Sequence, residues 1–321
     1  MFKIQLRRYS LLIVLIGLFV YFSIVAPGFS SLRNIFAIVR TASLLGMLSL
    51  AYSTMVILGD FDMSFTANAA FTSVVTALLI GKAAFPLWIA FLVGFLSALI
   101  IAFINSFVAI NIKMPSFLAT LGMKGVLDGT ARWLTNGANY FYPFWPKGFL
   151  FARIYLIKVI PLPAIIFIII AIILGIILEF SILGRHFYAV GGSPSASTHT
   201  GINVSKNRRK GFIINGILCG ITGIVGVSLL GSAATQMYDK FMLMGFTACF
   251  MGAIFLKDGI PNIWGTMVAS LILGVLTNGF VFLGISQGAQ EIIQGIALVG
   301  SIMIVILMRK SLKVLNLPVR V

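Results

Sequence analysis

Apolar stretches close to the length that crosses a membrane recur along almost the whole of this chain. A helix needs roughly 20 apolar residues to span about 30 Å of hydrocarbon. About ten such spans can be drawn, at residues 10–26, 35–58, 64–81, 85–110, 115–134, 159–180, 211–231, 241–256, 263–284 and 288–308. The sequence therefore predicts an all-α polytopic membrane protein, a single transmembrane domain over residues 1–321. The third, fifth and eighth spans are short or interrupted by glycine, and we expect some of them to be broken or re-entrant.

Composition excludes a soluble protein of this length, because 60% of the 321 residues are hydrophobic and only 9% are charged. The net charge of +16 could suggest a nucleic-acid-binding protein, but lysine and arginine are spread over the ends of the spans. The two cysteines, Cys219 and Cys249, lie within apolar runs, and we interpret both as small packing residues. The basic N-terminus resembles a signal peptide without a small-residue cleavage site, so we expect a retained first span.

The distribution of basic residues predicts the topology. If the N-terminus is inside, ten crossings put 14 basic residues inside: Lys3, Arg7, Arg8, Lys113, Arg185, Lys206, Arg208, Arg209, Lys210, Lys257, Arg309, Lys310, Lys313 and Arg320. The other side receives 6: Arg33, Lys82, Lys147, Arg153, Lys158 and Lys240. Because the cytoplasmic side of membrane proteins carries the excess of Lys and Arg, both termini and the loop 184–210 are predicted to be cytoplasmic.

The loop 184–210 contains a short helix with both of its ends marked. Ser193 can cap the helix N-terminus, Pro194 fits the first helical position, and Gly201 suits a left-handed C-terminal cap. This pattern predicts a helix of roughly two turns at 194–200, which is too short to be stable in water without packing. The segment is either an ordinary cytoplasmic loop or a helix that docks on a soluble partner.

On the opposite side, the predicted external loop 136–158 is rich in aromatic residues. Tyr140, Phe141, Tyr142, Phe144 and Trp145 stand beside two prolines. An aromatic belt at the membrane interface is one interpretation, and a docking surface for an external partner is the other.

The chain offers no candidate active site. It has no phosphate-binding GxxxxGK[ST], no metal-ligand cluster and no nucleophile beside a base, and the two histidines, His186 and His199, lie in the cytoplasmic loop without a catalytic partner. We therefore expect no enzyme activity and no cofactor in this chain.

Two acidic residues lie near a break between spans, in the sequence ILGDFDMSF. An ionisable side chain in hydrocarbon costs at least ~2.5 kcal/mol, so it needs a structural or functional reason. Asp62 with Ser64 could cap the N-terminus of the third span. The alternative is a proton or cation site formed by Asp60 and Asp62.

Three charged residues follow one face of the fifth span, since Lys124, Asp128 and Arg132 are spaced four residues apart. Asp128 and Arg132 could pair. The stripe could line a permeation path, or it could be a buried structural network, and the spacing does not distinguish the two.

Several motifs match one known family. They are Pro115–Gly122 (PSFLATLG, close to PSFIATLG), Gly184-Arg185, Tyr188-Ala189, Gly191-Gly192, Ala196 and Gly201–Val204, and then Gly265-Thr266, Gly274–Leu276, Asn278-Gly279 and Leu283-Gly284. Together they resemble the permease subunits of ATP-driven (ABC) sugar importers of the ribose/xylose/arabinose/galactose type, which are distantly related to branched-chain amino acid permeases. The resemblance runs from about Ser31 to about Met308.

The resemblance implies about ten helices in two inverted-topology halves, in a bacterial cytoplasmic (inner) membrane. Partners would be a second permease subunit, identical or homologous, two ATP-binding subunits or one tandem ATPase that bind ATP-Mg, and an extracytoplasmic solute-binding protein. The residues implied in ATPase coupling are Gly184, Arg185, Tyr188, Gly191, Gly192, Ser193, Pro194, Ala196, Gly201 and Ile202. Those expected along the translocation path are Asp62, Ser64, Pro115, Ser116, Phe117, Asp128, Arg132 and Asn278.

Two segments depart from the family pattern. GDFDMSFT at 59–66 stands in place of the family's GGIDLSVG, and GAIFLKDGIPNIWGT at 252–266 stands in place of a glycine-rich segment. The lost glycines and the added bulk argue against a standard pentose as the solute, which is left open as a sugar, a nucleoside or another small polar molecule. They are compatible with a heterodimer with a different permease, and a homodimer is the alternative. The alternative function is an ion-coupled secondary transporter that uses Asp60, Asp62 and Asp128.

Overall fold

The computed structural model describes residues 10–156, 160–255 and 259–314, and these residues are predominantly helical. The α-helices are α1 (Ser10–Val25), α2 (Leu32–Ile57), α3 (Phe65–Gly81), α4 (Leu87–Ile110), α5 (Ser116–Thr135), α6 (Leu162–Phe180), α7 (Ile182–Gly192), α8 (Pro194–His199), α9 (Val204–Leu230), α10 (Lys240–Ala253), α11 (Ile263–Phe282) and α12 (Gln287–Val314). Two short antiparallel pairs accompany them: β1 (Tyr140–Phe141) with β4 (Ser232–Ala233), and β2 (Tyr155–Leu156) with β3 (Ile160–Pro161).

A helix lies at each of the predicted spans, and within the described residues six helices are long and apolar enough to cross a membrane. These six are α2, α4, α6, α9, α11 and the part of α12 from Gln287 to Met308. Helices α1, α3 and α10 are apolar but have only 16, 17 and 14 residues. Helix α5 has 20 residues and carries three charged side chains. The chain is thus an all-α multi-pass membrane protein, and the count of ten crossings stays a prediction.

The described chain divides into two compact units that are interleaved in sequence. The first unit contains α1, α2 up to Ser53, α6, and the chain from Leu243 onwards. The second unit contains the chain from Thr54 to Pro163 and from Phe180 to Met242, and so includes α3, α4, α5, α7, α8 and α9. Each unit therefore takes a long helix from the opposite half of the sequence.

In the first unit, α2 packs on α11 in antiparallel fashion. Near one end, the Asn34 side-chain amide donates to Asn278 Oδ1 at 2.9 Å. Near the other end, the Ser53 and Thr266 hydroxyls are 2.8 Å apart. The contacts run in opposite sequence order along the two helices, and small residues between them allow the backbones to approach closely.

In the second unit, α9 packs along α3 and α4 through a glycine-rich face. A side-chain carbon at Gly216 would collide with Ala102, one at Gly220 with the ring of Phe95, and one at Gly223 with the carbonyl of Ala69. Because lipid provides no hydrophobic drive between helices, association depends on such close packing. These three glycines therefore allow the close packing of α9 on α3 and α4. The inverted topology of two sequence halves stays a prediction.

The two ends of the second unit carry different segments. At one end, beyond α3, α5 and α9, Lys82 Nζ donates to the Leu134 carbonyl at 3.3 Å, and Trp145 Nε1 donates to the Gly231 carbonyl at 3.0 Å. Trp145 also stacks on the buried ring of Phe149, with ring centroids 3.9 Å apart. Part of the aromatic loop 136–158 is thus packed against helix ends. Phe144, by contrast, is 78% exposed, so both interpretations of the loop remain open.

One side chain holds the start of α11 and gives a stability prediction. Asn262 is fully buried, its Oδ1 accepts the Gly265 amide at 2.8 Å, and its Nδ2 donates to the carbonyls of Phe255 and Gly252 at 2.7 and 3.2 Å. Asn262→Ala would leave these backbone groups without a hydrogen-bond partner in a buried position. We therefore expect the free energy of unfolding to fall by about 2 to 3 kcal/mol.

The matched control for Asn262→Ala is Asn203→Ala. Asn203 also caps a helix, accepting the Lys206 amide at 2.8 Å, but it is exposed, so its loss should cost about 1 kcal/mol. Thermal unfolding of both variants in detergent should show the larger fall in melting temperature for Asn262→Ala. Equal shifts would contradict the role given to burial.

Candidate functional site

The predicted short helix forms as α8, within one residue of its expected end. Ser193 Oγ accepts the Ala196 amide at 3.3 Å, Pro194 occupies the first turn, and Gly201 adopts a φ of +82°. The Ile202 amide donates to the Ser197 carbonyl at 2.9 Å and closes the helix C-terminus. Both end signals read from the sequence are therefore confirmed.

Every residue of α8 except Ser197 is solvent-exposed in the isolated chain, and Ser197 is buried. Six helical residues cannot hold themselves together in water, so α8 depends on its two anchored ends. Because its outer face meets no other described part of the chain, this face is available to a soluble partner.

Helix α7 connects α8 to the body of the second unit. Its N-terminus is capped by Ser181, and Phe187 and Val190 are fully buried, whereas Arg185 is exposed. Near its end, Gly191 packs directly against the Ile57 carbonyl at the end of α2, so closely that a side-chain carbon would not fit. Gly192, the next residue, has open space around it. Glycine at 191 therefore brings α7 against the connection between α2 and α3.

The start of α9 is joined to the same connection by an ion pair. Arg208 Nε and Nη2 donate to the two carboxylate oxygens of Asp60, each at 2.7 Å. The Asp60 side chain is 6% exposed and that of Arg208 is 26% exposed. The neighbouring Arg209 donates to Asn111 Oδ1, beyond the end of α4, at 3.2 Å. A two-bond arginine–carboxylate pair fixes orientation as well as distance.

The α2–α3 linker (Leu58–Ser64), which contains Asp60, is also hydrogen-bonded to the first turns of α5. The Phe61 amide donates to Ser116 Oγ at 3.2 Å, and the Met63 amide donates to Thr120 Oγ1 at 2.8 Å. Both hydroxyls belong to the PSFLATLG motif. That motif was predicted to be a path element, and the structure shows that two of its side chains hold the linker. Thr120 and Asn111 were not among the residues singled out from the sequence.

Asp62 has its own partners, separate from those of Asp60. Its Oδ1 accepts the Ser64 amide at 2.7 Å and the Ser64 hydroxyl at 2.6 Å, and Asn105 Nδ2 donates to Ser64 Oγ at 2.8 Å. Ser64 is the N-cap residue of α3, but it makes no side-chain capping bond itself. The carboxylate of Asp62 thus fixes Ser64, the residue directly before α3, but among the described residues it accepts no amide from the first turn of the helix, so the capping bond predicted for Asp62 and Ser64 is not formed. Asp60 and Asp62 do not share a site.

The charged stripe of α5 is paired differently from the prediction. Lys124 Nζ lies 2.7 Å from Asp128 Oδ2 and 3.1 Å from Asp239 Oδ1. Arg132 is exposed, so the predicted Asp128–Arg132 pair is wrong: Asp128 uses the cation one turn earlier. Asp239, which immediately precedes α10, was missed from the sequence, although its rarity as one of 7 acidic residues was a signal.

The remaining predicted path residues are Pro115, Phe117 and Asn278. Pro115 is the N-cap residue of α5, and the Phe117 side chain is 41% exposed on the first turn. Asn278 belongs to the first unit, where it accepts a hydrogen bond from Asn34. The other seven residues of the predicted set belong to the second unit.

Comparison with known proteins assigns the family. Residues 34–304 match the family described as the permease component of the branched-chain amino acid transport system. The chain belongs to this permease family. The family resemblance read from the sequence motifs is thereby confirmed.

Curated relatives cover almost the full chain. It is 29% identical over 311 residues to the probable ABC transporter permease protein YphD of Escherichia coli K12, covering 95% of this chain and 91% of the relative. It is 27% identical to the ribose import permease protein RbsC of Bacillus subtilis 168, covering 90% of each. It is 28% identical to the L-arabinose transport system permease protein AraH of Escherichia coli K12, covering 92% of this chain and 89% of the relative. No solved structure matches the chain significantly.

Proposed function

We propose that this chain is the membrane permease subunit of an ATP-driven importer for a sugar or a similar small polar solute. The observation that carries the proposal is the exposed α8, anchored through α7 and the start of α9 to the ends of membrane helices. A rigid attachment of this kind lets force applied at α8 reach the membrane-embedded part. Family membership and the ribose and arabinose relatives support the same function.

ATP hydrolysis belongs to partner subunits in this proposal. Two ATP-binding subunits, or one tandem ATPase, bind ATP-Mg and contact α8, while an extracytoplasmic binding protein delivers the solute. Both compact units form one permease domain in a bacterial inner membrane, with the termini in the cytoplasm. A second permease subunit, identical or homologous, completes the transporter. Closure of the ATPase subunits would then move the helices between outward and inward access.

The solute path in this proposal follows the polar face of α5. The side chains of Lys124 and Asp128 on α5 are 16% and 15% exposed. The glycines of the same helix, Gly122, Gly125 and Gly129, have open space beside them. Charged side chains within a membrane protein normally face its interior or a water-filled cavity. A partly hydrated, charge-balanced cluster offers hydrogen bonds to a hydroxyl-rich solute.

The alternative, an ion-coupled transporter, has less support. Its three acidic residues have separate partners: Asp60 pairs with Arg208, Asp62 bonds to Ser64, and Asp128 pairs with Lys124. A metal-cation site would need several of these oxygens around one position.

The test is copurification from native membranes. The tagged chain should bring with it a subunit that hydrolyses ATP, and proteoliposomes of the complex with its binding protein should accumulate D-ribose or L-arabinose only with ATP inside. Ala196→Arg, on the exposed face of α8, should lower ATPase recovery at least fivefold. Ala138→Arg, exposed in the aromatic loop, is the control and should not. Accumulation by the chain alone on a proton or sodium gradient would overturn the proposal.

A further inference from the structure

We infer that the Asp60–Arg208 ion pair is a positioning contact that carries movement of α8 to α5 through the α2–α3 linker. The inference rests on the proposed function. It adds which residues connect the ATPase-facing surface to the helix proposed to line the path.

The first step is the attachment at Asp60. Its carboxylate is 6% exposed and receives both bonds from one guanidinium, at 2.7 Å each. Removing either partner would leave a largely buried charge without its counter-charge, which is costly. Because the bond is two-pronged, rotation of Arg208 on α9 turns the Asp60 carboxylate with it. Gly191 on α7 contacts the Ile57 carbonyl, directly before the linker, and Gly59 within it.

The second step is the linker itself. Phe61 and Met63 are not in a helix, and their amides donate to the Ser116 and Thr120 hydroxyls. Thr120 Oγ1 donates to the Ser116 carbonyl within α5 at 2.8 Å and also lies 3.3 Å from the Phe61 carbonyl. A displacement of Asp60 therefore acts on backbone groups that are bonded directly to the first turns of α5.

The third step is the length of α5. A helix rises 1.5 Å per residue, so Lys124 and Asp128 lie roughly 6 and 12 Å further along the helix than Thr120. Asp62 and Asn105 hold the end of the linker to α3 and α4, so the linker can pivot there. A tilt imposed at the first turn of α5 then changes the position of the Lys124–Asp128 pair.

The experiment follows the exposure of α5 in the copurified complex. The variant Gly125→Cys, at a position that faces open space, can be labelled with a water-soluble maleimide, since both native cysteines are buried. With Asp60 and Arg208 intact, a non-hydrolysable ATP analogue should change the labelling rate at least fivefold. Asp60→Asn or Arg208→Gln should reduce this change below twofold while ATP hydrolysis continues.

Rescue and control variants separate a positioning role from a merely structural one. Asp60→Arg with Arg208→Asp restores the pair with reversed charges and should recover at least half of the nucleotide response. Arg209→Gln removes the neighbouring positive charge, whose bond is to Asn111, and should keep the full response. An undiminished response in Asp60→Asn and Arg208→Gln, or an equal loss in Arg209→Gln, would overturn the inference. Absence of any response in the intact pair would instead count against the proposed function.

Discussion

Gly191→Ala should reduce ATP-driven uptake at least tenfold while the protein still inserts and folds. A side-chain carbon at residue 191 would collide with the carbonyl of Ile57, and a backbone group at the end of a helix cannot swing aside as a flexible side chain can. Overpacking of this kind costs roughly 1 to 3 kcal/mol. The strain falls on the contact between α7 and the α2–α3 linker, so coupling should suffer more than stability.

The adjacent residue provides the control for Gly191→Ala. Gly192 is in the same helix and meets nothing within 4 Å, so Gly192→Ala should retain more than half of the uptake. Uptake and ATP hydrolysis are measured together in proteoliposomes, and monodispersity by size-exclusion chromatography reports folding. Equal uptake in the two variants would show that the close approach at residue 191 is not needed for transport.

Local signals in the sequence predicted the helices and α8 because those elements depend on nearby residues. Hydropathy over about 20 residues locates a span, and Ser193, Pro194 and Gly201 mark the ends of a helix without help from the rest of the fold. Hydropathy carries no information on which helices pack together. The exchange of α2 and α9 between the compact units could therefore not be predicted from it.

The partners of the acidic residues were harder to predict, because they are set by tertiary structure. Asp60 lies 148 residues from Arg208 in the chain, and no periodicity connects them. Asp128 has a cation at both i−4 and i+4, so the helix geometry alone favours neither. In the structure Asp239 also lies beside Lys124, so Lys124 forms ion pairs with both Asp128 and Asp239, and Arg132 is exposed.

Lys124→Leu should impair transport more than Asp128→Asn, because the two changes alter the charge of this cluster in opposite directions. Lys124, Asp128 and Asp239 together carry one net negative charge when all are ionised. Asp128→Asn leaves a balanced Lys124–Asp239 pair, whereas Lys124→Leu leaves two carboxylates with no cation between them. Because the Lys124–Asp128 pair is partly exposed, Lys124→Leu should lower the free energy of unfolding by about 1 to 2 kcal/mol, rather than by the roughly 3 to 5 kcal/mol of breaking a fully buried pair.

Expected results are a tenfold or greater fall in uptake for Lys124→Leu and a two- to fivefold fall for Asp128→Asn, both measured per inserted molecule. Arg132→Gln is the control on the same helix, and its exposed side chain should be replaceable with little effect. Lys124→Arg keeps the charge and should retain most of the uptake. If Asp128→Asn were the more damaging change, charge balance would not explain the cluster. If Asp128→Ala and Lys124→Leu both transported normally at full expression, α5 would not line the path, because a polar passage cannot lose its central cation without changing what the solute meets.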